Sequence, residues 1–434
     1  MANYQKIKGT QDFYGDYILK YRYVEKVASD VAKKYGFGEM KTPVFENTEV
    51  FVRSVGEESD VVSKEMYTFT DKGNRSITLR PEGTAVIARS FTENKLYAGS
   101  LPFYKYFYSG PMYRYERPQA GRYREFHQFG VEVFGQGSYL QDVDVIASAY
   151  AIINKLKIEN IQLKINSIGD FSSREVYQQA LRQYFQNHIE SMCSDCGRRI
   201  HTNPMRILDC KVDKNNPVMN NAPQIVDFLN PNSQSYFKRV TQSLDLLHIP
   251  YEIDLQLVRG LDYYTDTVFE FIINSDDEFN GLALCAGGKY SELIKSFNGM
   301  DIPGIGYAFG IERLIALMDK QNKWPVLHND TDFFLIALDS ISQQEALQLA
   351  VQLRQLGWTV EMDYLHTNLK NQFKVSEKLH ARYLIIIGEE ERKSEQFVIK
   401  DTQNKTQTTI NKTALLQKKT QFKKFLEEKK NENA

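Results

Sequence analysis

Apolar residues fall three and four apart between Asp16 and Tyr35, with Ile18, Tyr21, Val24, Val27, Ala28 and Val31 on one face and Gly36 beyond the end. That spacing predicts an amphipathic helix stopped by glycine. Glu49 to Val55 reads as a second helix, after an extended segment broken by Pro43, and Ser76 to Leu79 as a short strand. The aromatic run Phe103 to Tyr108 leads into a strand carrying Met112 to Tyr115, and Glu125 to Phe134 forms its partner. Between them, Glu116 to Arg124 holds Arg117, Pro118, Gly121, Arg122 and Arg124 without apolar periodicity, the pattern of a hairpin with a long, mobile, basic tip. Helices are predicted for Asp142 to Leu156 and Ser172 to Met192, and a strand for Ile161 to Ile165. Tyr251, Ile253, Leu255 and Leu257 alternate with Glu252, Asp254 and Gln256, which predicts a strand that delivers Arg259.

Past a polar stretch from Lys320 to Thr331, the rhythm becomes strand, helix, strand, helix, strand. Phe333 to Leu338 and Tyr383 to Ile387 are the apolar strands. Ser342 and Glu345 predict a capping box for a helix with Leu349, Leu353 and Leu356, stopped at Gly357. This is a small α/β domain. Its tail carries Lys418, Lys419, Lys423, Lys424, Lys429 and Lys430, broken by Glu427 and Glu428, and reads as a solvated helix face or a nucleic-acid contact.

Period two also sorts chemistry. Phe126, Gln128, Gly130 and Glu132 share one face of their strand, while His127, Phe129, Val131 and Val133 share the other, which is apolar enough for core. Arg114 sits between Tyr113 and Tyr115 and faces opposite to both. Arginine, carboxamide and carboxylate beside an aromatic plate suggest a binding surface; an exposed face with cross-strand ion pairs is the alternative. In the segment RPEGTA, Glu82 and Thr84 flank Gly83. If the strand continues, they form a clamp for an ammonium group, with Gly83 admitting a ligand to the backbone. If a helix starts there instead, Glu82 simply sits at its positive end. Cys193 and Cys196, followed by His201 and Cys210, could hold zinc, but the downstream half lacks a second tight pair, and no structural metal is expected.

Composition bounds the rest. A chain of 434 residues, 42% hydrophobic and 25% charged, fits about three globular domains. Lys+Arg 54 against Asp+Glu 55 leaves a net charge of -1, so any nucleic-acid site is a local patch. No apolar run approaches a membrane span, the N-terminus has no signal-peptide core, and four cysteines give no disulfide framework; a cytoplasmic location is expected. No GxxxxGK[ST] is present, so an ATP site would not be a P-loop, and Gly304-x-Gly306 lacks the third glycine of a dinucleotide loop.

Gly110 to Phe134 resembles motif 2 of the class II aminoacyl-tRNA synthetases. FGEMKTPVFENTEVFVRSVG, with Pro43, resembles motif 1, the dimer interface, and PGIGYAFGIERL, with Arg313 early in its helix, resembles motif 3. LVRGLDYY, containing Arg259, Gly260, Asp262, Tyr263 and Tyr264, and AGGKY, with Gly287, Gly288 and Tyr290, are similar to signatures of the histidyl-tRNA synthetases within that class. The likeness spans nearly the whole chain. It implies an α+β catalytic domain on an antiparallel sheet over 1–325, with motif 1 at about 35–56, motif 2 at about 103–134 and motif 3 at about 302–318. A helical insertion at about 171–250 reaches toward the tRNA acceptor arm. A linker at 326–331 and an α/β anticodon-binding domain with basic tail at 332–434 follow. The expected substrates are L-histidine, ATP with Mg²⁺ and the tRNA for histidine, handled by a homodimer with no membrane association. Arg114 and Arg259 are the implied catalytic residues. Glu82, Gly83, Thr84, Arg114, Gln128, Glu132, Arg259, Tyr263, Tyr264 and Tyr290 are implied for histidine. Arg114, Glu116, Arg122, Phe126 and Arg313 are implied for ATP. A histidine-sensing regulatory subunit of histidine biosynthesis is the competing reading; such relatives lack the C-terminal domain and lose catalytic arginines.

Overall fold

The first predicted helix is α1 (Gly15–Lys34), whose Tyr21, Val24, Val27, Ala28 and Val31 are buried. Gly36 follows at φ +82°, a conformation in which a side chain would be strained. The computed structural model describes residues 4–417 and 422, apart from 57, 58, 60, 100, 119, 120, 211, 261, 262, 328–330, 366 and 367. Asp262 and the six tail lysines therefore lie outside the described residues. The chain divides into two units, Met1–Pro325 and Val326–Ala434.

In the first unit, β1 (Gly38–Glu39), β2 (Phe45–Asn47), α2 (Glu49–Val55), β3 (Tyr67–Thr70), β4 (Ser76–Leu79) and α3 (Thr84–Glu93) precede a hairpin of β5 (Phe103–Tyr113) and β6 (Glu125–Gly135). After α4 (Tyr139–Lys155) and β7 (Ile161–Ser167) come the helices α5 (Phe171–Gln186), α6 (Ser194–Thr202), α7 (Pro217–Asn220) and α8 (Pro231–Leu246). Then β8 (Glu252–Ile253), β9 (Tyr264–Ile273), β10 (Ala283–Tyr290), α9 (Leu293–Ser296), β11 (Gly304–Gly310) and α10 (Ile311–Lys320) complete it. Eight of these strands form one sheet in the order β1-β5-β6-β11-β10-β9-β7-β8, while β2-β4-β3 form a small antiparallel sheet. The large sheet is antiparallel except at its two ends, where β1 joins β5 and β8 joins β7 in parallel.

The two faces of the large sheet differ. One carries Phe129, Val131, Val133, Phe269, Phe271, Tyr307 and Phe309 against α1, α4 and α10. The other carries Tyr108, Met112, Phe134, Tyr264 and Tyr290 against α3 and the helical segment after β7. Each large apolar side chain buried on the first face contributes roughly 1.5–3 kcal/mol. A one-residue slip of β6 would exchange them for Gln128 and Glu132, so this burial fixes the register that aims the polar face.

The second unit is built from β12 (Phe333–Ala337), α11 (Ser340–Gln355), β13 (Val360–Met362), α12 (Leu369–Lys378), β14 (Tyr383–Ile387), α13 (Glu389–Ser394), β15 (Gln396–Asp401), β16 (Thr406–Asn411) and α14 (Lys412–Leu415). Its sheet runs β13-β12-β14-β15-β16, with the first three strands parallel and the last two antiparallel.

Several local expectations are corrected. The strand proposed over 251–258 is only Glu252–Ile253. Asp254 then turns the chain: its Oδ1 accepts the Gln256 N–H at 3.1 Å and its carbonyl accepts the Leu257 N–H at 2.9 Å. The helix from Ser172 ends at Gln186, followed by a single tight turn at Ile189–Ser191, because Asn187 and His188 are poor helix residues. The first hairpin strand ends at Tyr113, not Tyr115. The capping box at Ser342 does not form. Asp339 is the N-cap, accepting the N–H groups of Ile341 and Ser342, and Glu345 faces Lys412 at 3.4 Å.

Candidate active site

The hairpin makes one wall of a cavity lined by Glu82, Thr84, Arg114, Glu116, Arg122, Phe126, Gln128, Arg259, Tyr263, Tyr264 and Arg313. In register, Gln128 lies opposite Gly110 on one side and Gly310 on the other, and Phe126 opposite Met112. The space over these two glycines goes to arginines: a Cβ at Gly110 would lie 2.6 Å from Arg80 Nη2, and one at Gly310 would lie 3.6 Å from Arg313 Cδ. The Gln128 Oε1 is buried with no hydrogen-bond partner, an unsatisfied acceptor on a residue that lines the cavity. On the reverse face, the His127 backbone N–H and Nδ1 meet the Glu312 carboxylate at 2.9 Å, which pins the strand to α10.

The segment RPEGTA takes the helix-start alternative. Thr84 opens α3, and the Glu82 carboxylate accepts the N–H groups of Thr84 and Ala85, both at 2.7 Å. Glu82 and Thr84 still line the cavity together. Burial pushes the Glu82 carboxyl above its ordinary range, against the pull of those two backbone donors. The space over Gly83 belongs to Tyr108, not to a ligand: a Cβ there would lie 2.1 Å from that ring. Gly130 on β6 makes the same concession, with the ring 2.3 Å from its missing Cβ. Pattern reading missed Tyr108, although its place opposite Gly130 in the hairpin was the available signal.

Four arginines converge from different elements. Arg114, just past β5, donates Nε to the Pro81 carbonyl at 2.9 Å and lies over the Phe126 ring, 5.4 Å from its centroid. Arg122 comes from the hairpin loop and meets Glu116 at 3.3 Å. Arg313, in the first turn of α10, donates to the carbonyls of Gly121 and Ala283 at 2.9 and 2.6 Å, with no carboxylate partner among the described residues. Burial and the neighbouring Arg122 guanidinium both lower its pKa. Crowded cations in a partly dry cleft define an anion site.

Arg259 is delivered by a turn, not by a strand end. Its guanidinium pairs with Glu270 and lies 5.6 Å from the centroid of Tyr264. Burial works against its charge, and Glu270 with the two tyrosines more than offsets that cost. Its Nε keeps no partner. Glu270 was not singled out from sequence; a lone acid between Phe269 and Phe271 in a buried strand was the signal.

Glu132 and Tyr290 do not reach the cavity surface. Glu132 is fully buried one layer behind it, with Oε1 accepting from Thr84 Oγ1 and Oε2 from Tyr290 Oη, both at 2.6 Å. Burial pushes its carboxyl up to about 8, against the lowering effect of those two donors.

Of the four proposed metal-ligating residues, the three cysteines cluster and His201 does not. His201 is exposed on α6, and Asp213 takes its place beside Cys193, Cys196 and Cys210. The second tight pair that seemed missing is thus supplied by Cys210 and Asp213.

An antiparallel sheet that presents arginines to a nucleotide-sized cleft, without a phosphate-binding loop, is the catalytic platform of a class II aminoacyl-tRNA synthetase. The family described as Histidyl-tRNA synthetase matches residues 9–314, and the family described as Anticodon binding domain matches residues 332–420. The histidine–tRNA ligase of Geobacillus thermodenitrificans is 44% identical over 94% of this chain and 96% of its own, and that of Bacillus subtilis is 44% identical over 93% and 95%. The crystal structure of apo S. aureus histidyl-tRNA synthetase superposes with a TM-score of 0.82 at 37% identity, covering 95% of this chain and 98% of that one. The chain belongs to the histidyl-tRNA synthetase family.

Proposed function

We propose that this chain joins L-histidine to its tRNA in two steps within the cavity described. The observation that carries the reading is the convergence of Arg114, Arg122, Arg259 and Arg313 on a cleft that also holds Glu82, Thr84 and Gln128. In the first step the histidine carboxylate attacks the α-phosphate of ATP, the bond to the β-phosphate breaks, and pyrophosphate leaves. In the second, the terminal adenosine hydroxyl of the tRNA attacks the carbonyl carbon of the adenylate and AMP leaves.

Positioning and charge stabilisation dominate such chemistry. Arg114 bridges the carboxylate and α-phosphate, and Arg259 meets the same developing charge from the other side. Arg122 and Arg313 hold the outer phosphates, and Phe126 stacks on adenine. Magnesium supplies charge neutralisation on the phosphates when bound, and Glu116, the carboxylate among these arginines, is the residue that fits it. Glu82, Thr84 and the unpaired Gln128 Oε1 take the α-ammonium group. Tyr264, in the cavity wall, meets an imidazole ring nitrogen, while Glu132, one layer behind, holds the Thr84 and Tyr290 hydroxyls that it accepts from. Gly83, Tyr263 and Tyr290 complete the pocket as packing partners.

The chain acts as a homodimer in the cytoplasm. Supporting the dimer, Val44, Phe45 and Phe69 are exposed on or beside the small sheet, in the region similar to motif 1. No helix among the described residues is long and apolar enough to cross a membrane. The C-terminal unit meets the tRNA anticodon. The regulatory reading loses ground because Arg114, Arg259 and Arg313 are retained and an anticodon-binding module follows.

Histidine-dependent exchange of pyrophosphate into ATP tests the assignment. The full chain is expected to exchange and to charge tRNA. A chain ending at Pro325 is expected to keep exchange and lose most charging. Histidine binding without exchange in the full chain overturns the enzyme reading in favour of the sensor. Equal loss of both activities in a folded, truncated dimer overturns the division of labour.

A further inference from the structure

Outside the adenylation cleft, one cluster of side chains has the composition of a metal site. We propose that Cys193, Cys196, Cys210 and Asp213 bind one zinc ion in tetrahedral geometry, tying the start of α6 to the segment after Ile207.

Their ligand atoms all lie within 4.8 Å of one another. A tetrahedral ion with zinc–sulfur bonds of about 2.3 Å sets its sulfurs about 3.8 Å apart, and with a zinc–oxygen bond of about 2.0 Å sets sulfur and oxygen about 3.5 Å apart. Cys193 Sγ and Cys210 Sγ are 3.7 Å apart, and Cys210 Sγ and Asp213 Oδ2 are 3.5 Å apart. Both edges thus have the length the ion requires, whereas a disulfide needs sulfurs at about 2.0 Å.

Backbone dipoles face the sulfurs. Cys193 is the N-cap of α6 and Cys196 lies in its first turn, at the positive end of a nine-residue helix. The Asp213 backbone N–H points to Cys210 Sγ at 3.5 Å. Cys196, Cys210 and Asp213 are buried. The buried Asp213 carboxylate accepts the Cys193 backbone N–H at 3.1 Å and has no cationic side chain in ion-pair contact among the described residues. A divalent ion supplies that missing charge. Three thiolates and one carboxylate are soft enough to select zinc over magnesium or calcium.

The placement gives the ion a purpose. Cys210 lies in the wall of a cavity shared with Arg114, Arg206, Arg259 and Arg313. Closing the loop from Cys193 to Asp213 fixes a stretch that has little apolar content of its own beyond Ile200, Met205 and Ile207. Small, polar substructures of this kind commonly rely on a staple.

The test uses the full chain, expressed with zinc and purified without chelators. Metal analysis is expected to give one zinc per chain. Replacement by Co²⁺ is expected to give a thiolate-to-cobalt charge-transfer band with the visible bands of a tetrahedral field. Cys196→Ser is expected to lose the ion. Asp213→Asn is expected to release it to a chromophoric chelator about 10- to 100-fold more readily. His201→Ala and Cys285→Ser are expected to retain it. If the cysteine variant fails to fold, the zinc content and cobalt spectrum of the unsubstituted chain decide. A chain with intact thiols that takes up neither metal, or peptide mapping that finds a Cys193–Cys210 disulfide, overturns the site. Loss of zinc on His201→Ala to the same degree as on Asp213→Asn overturns the assignment of the fourth ligand.

Discussion

The β5–β6 hairpin and the segment from Tyr251 to Tyr264 both alternate apolar and polar residues, and both bring arginine to the same cleft. Only the first is built as its pattern suggests. β6 is paired along its whole length with β5 and from Gln128 to Phe134 with β11, so alternation there is a readout of one buried and one open face. The second segment pairs with β7 at only two residues. Past Ile253, Asp254 accepts the Gln256 and Leu257 N–H groups locally, and Asn166 Nδ2 reaches the carbonyls of Leu255 and Leu257 at 3.4 and 3.1 Å. Alternation alone therefore does not make a strand; it needs partners on its edges. The consequence for chemistry is that backbone register aims Gln128 and Phe126, whereas side chains aim Arg259.

Removing Arg259 should break that comparison most severely. An isolated interaction with charge that develops in the transition state is worth about 3–4 kcal/mol, or roughly 10²–10³ in rate. Arg259→His is expected to slow adenylate formation by that factor and transfer from preformed adenylate far less. Arg259→Lys keeps charge without the fork and should recover only part. Glu270 is a positioning residue here, so Glu270→Gln should add little once Arg259 is Lys, a non-additivity that a merely structural acid would not produce. Single-turnover rates of the two half-reactions provide the check. Equal slowing of both would remove Arg259 from the adenylation step.

The next effect tests whether side chains do aim that arginine. Asn166 is fully buried on β7, with its carboxamide fixed between the Ser167 N–H and the two carbonyls. Asn166→Leu leaves those carbonyls unpaired and should cost about 1–3 kcal/mol. Faster amide exchange across 254–260, with the β5–β6 amides unchanged, is the expected signature. Uniform acceleration over the whole catalytic unit would mean that Asn166 stabilises the sheet and does not aim the segment.

The same contrast explains what the sequence made legible. Long periodic elements with one apolar face, such as α1, β6 and α4, emerged with small boundary errors, because burial enforces their period. The motif residues Arg114, Arg122, Phe126, Gln128 and Arg313 meet in one cavity. What remained hidden was set by contacts distant in the chain. Tyr108 fills the space above two glycines, Glu270 answers Arg259, and Asp213 stands where His201 was expected. None of these has a local period. The withdrawal of Glu132 behind the wall also depends on Thr84 and Tyr290, 48 and 158 residues away, and no strand pattern could reveal it.

The last test sharpens the comparison from the hairpin side. Glu132 is held on a rigid strand in a dry nest, and burial raises its carboxyl from 4.5 to about 8. Between those values the folded chain holds a proton that the unfolded chain has released. Folding stability from this group is therefore fully present below about pH 4.5 and declines as pH rises toward 8, with a slope of at most about 1.4 kcal/mol per pH unit. Glu132→Gln carries no such proton. It should lower stability at acid pH, where the amide replaces a well-bonded acid, yet flatten the curve between pH 5.5 and 7.5. Other buried acids, such as Asp142, whose carboxyl burial raises to about 7, contribute equally to both proteins, so the difference in slope isolates Glu132. Urea midpoints of the catalytic unit at constant ionic strength supply the measurement. Parallel curves would show that Glu132 is ionised in the free protein, and that its two donors, not its burial, set its charge.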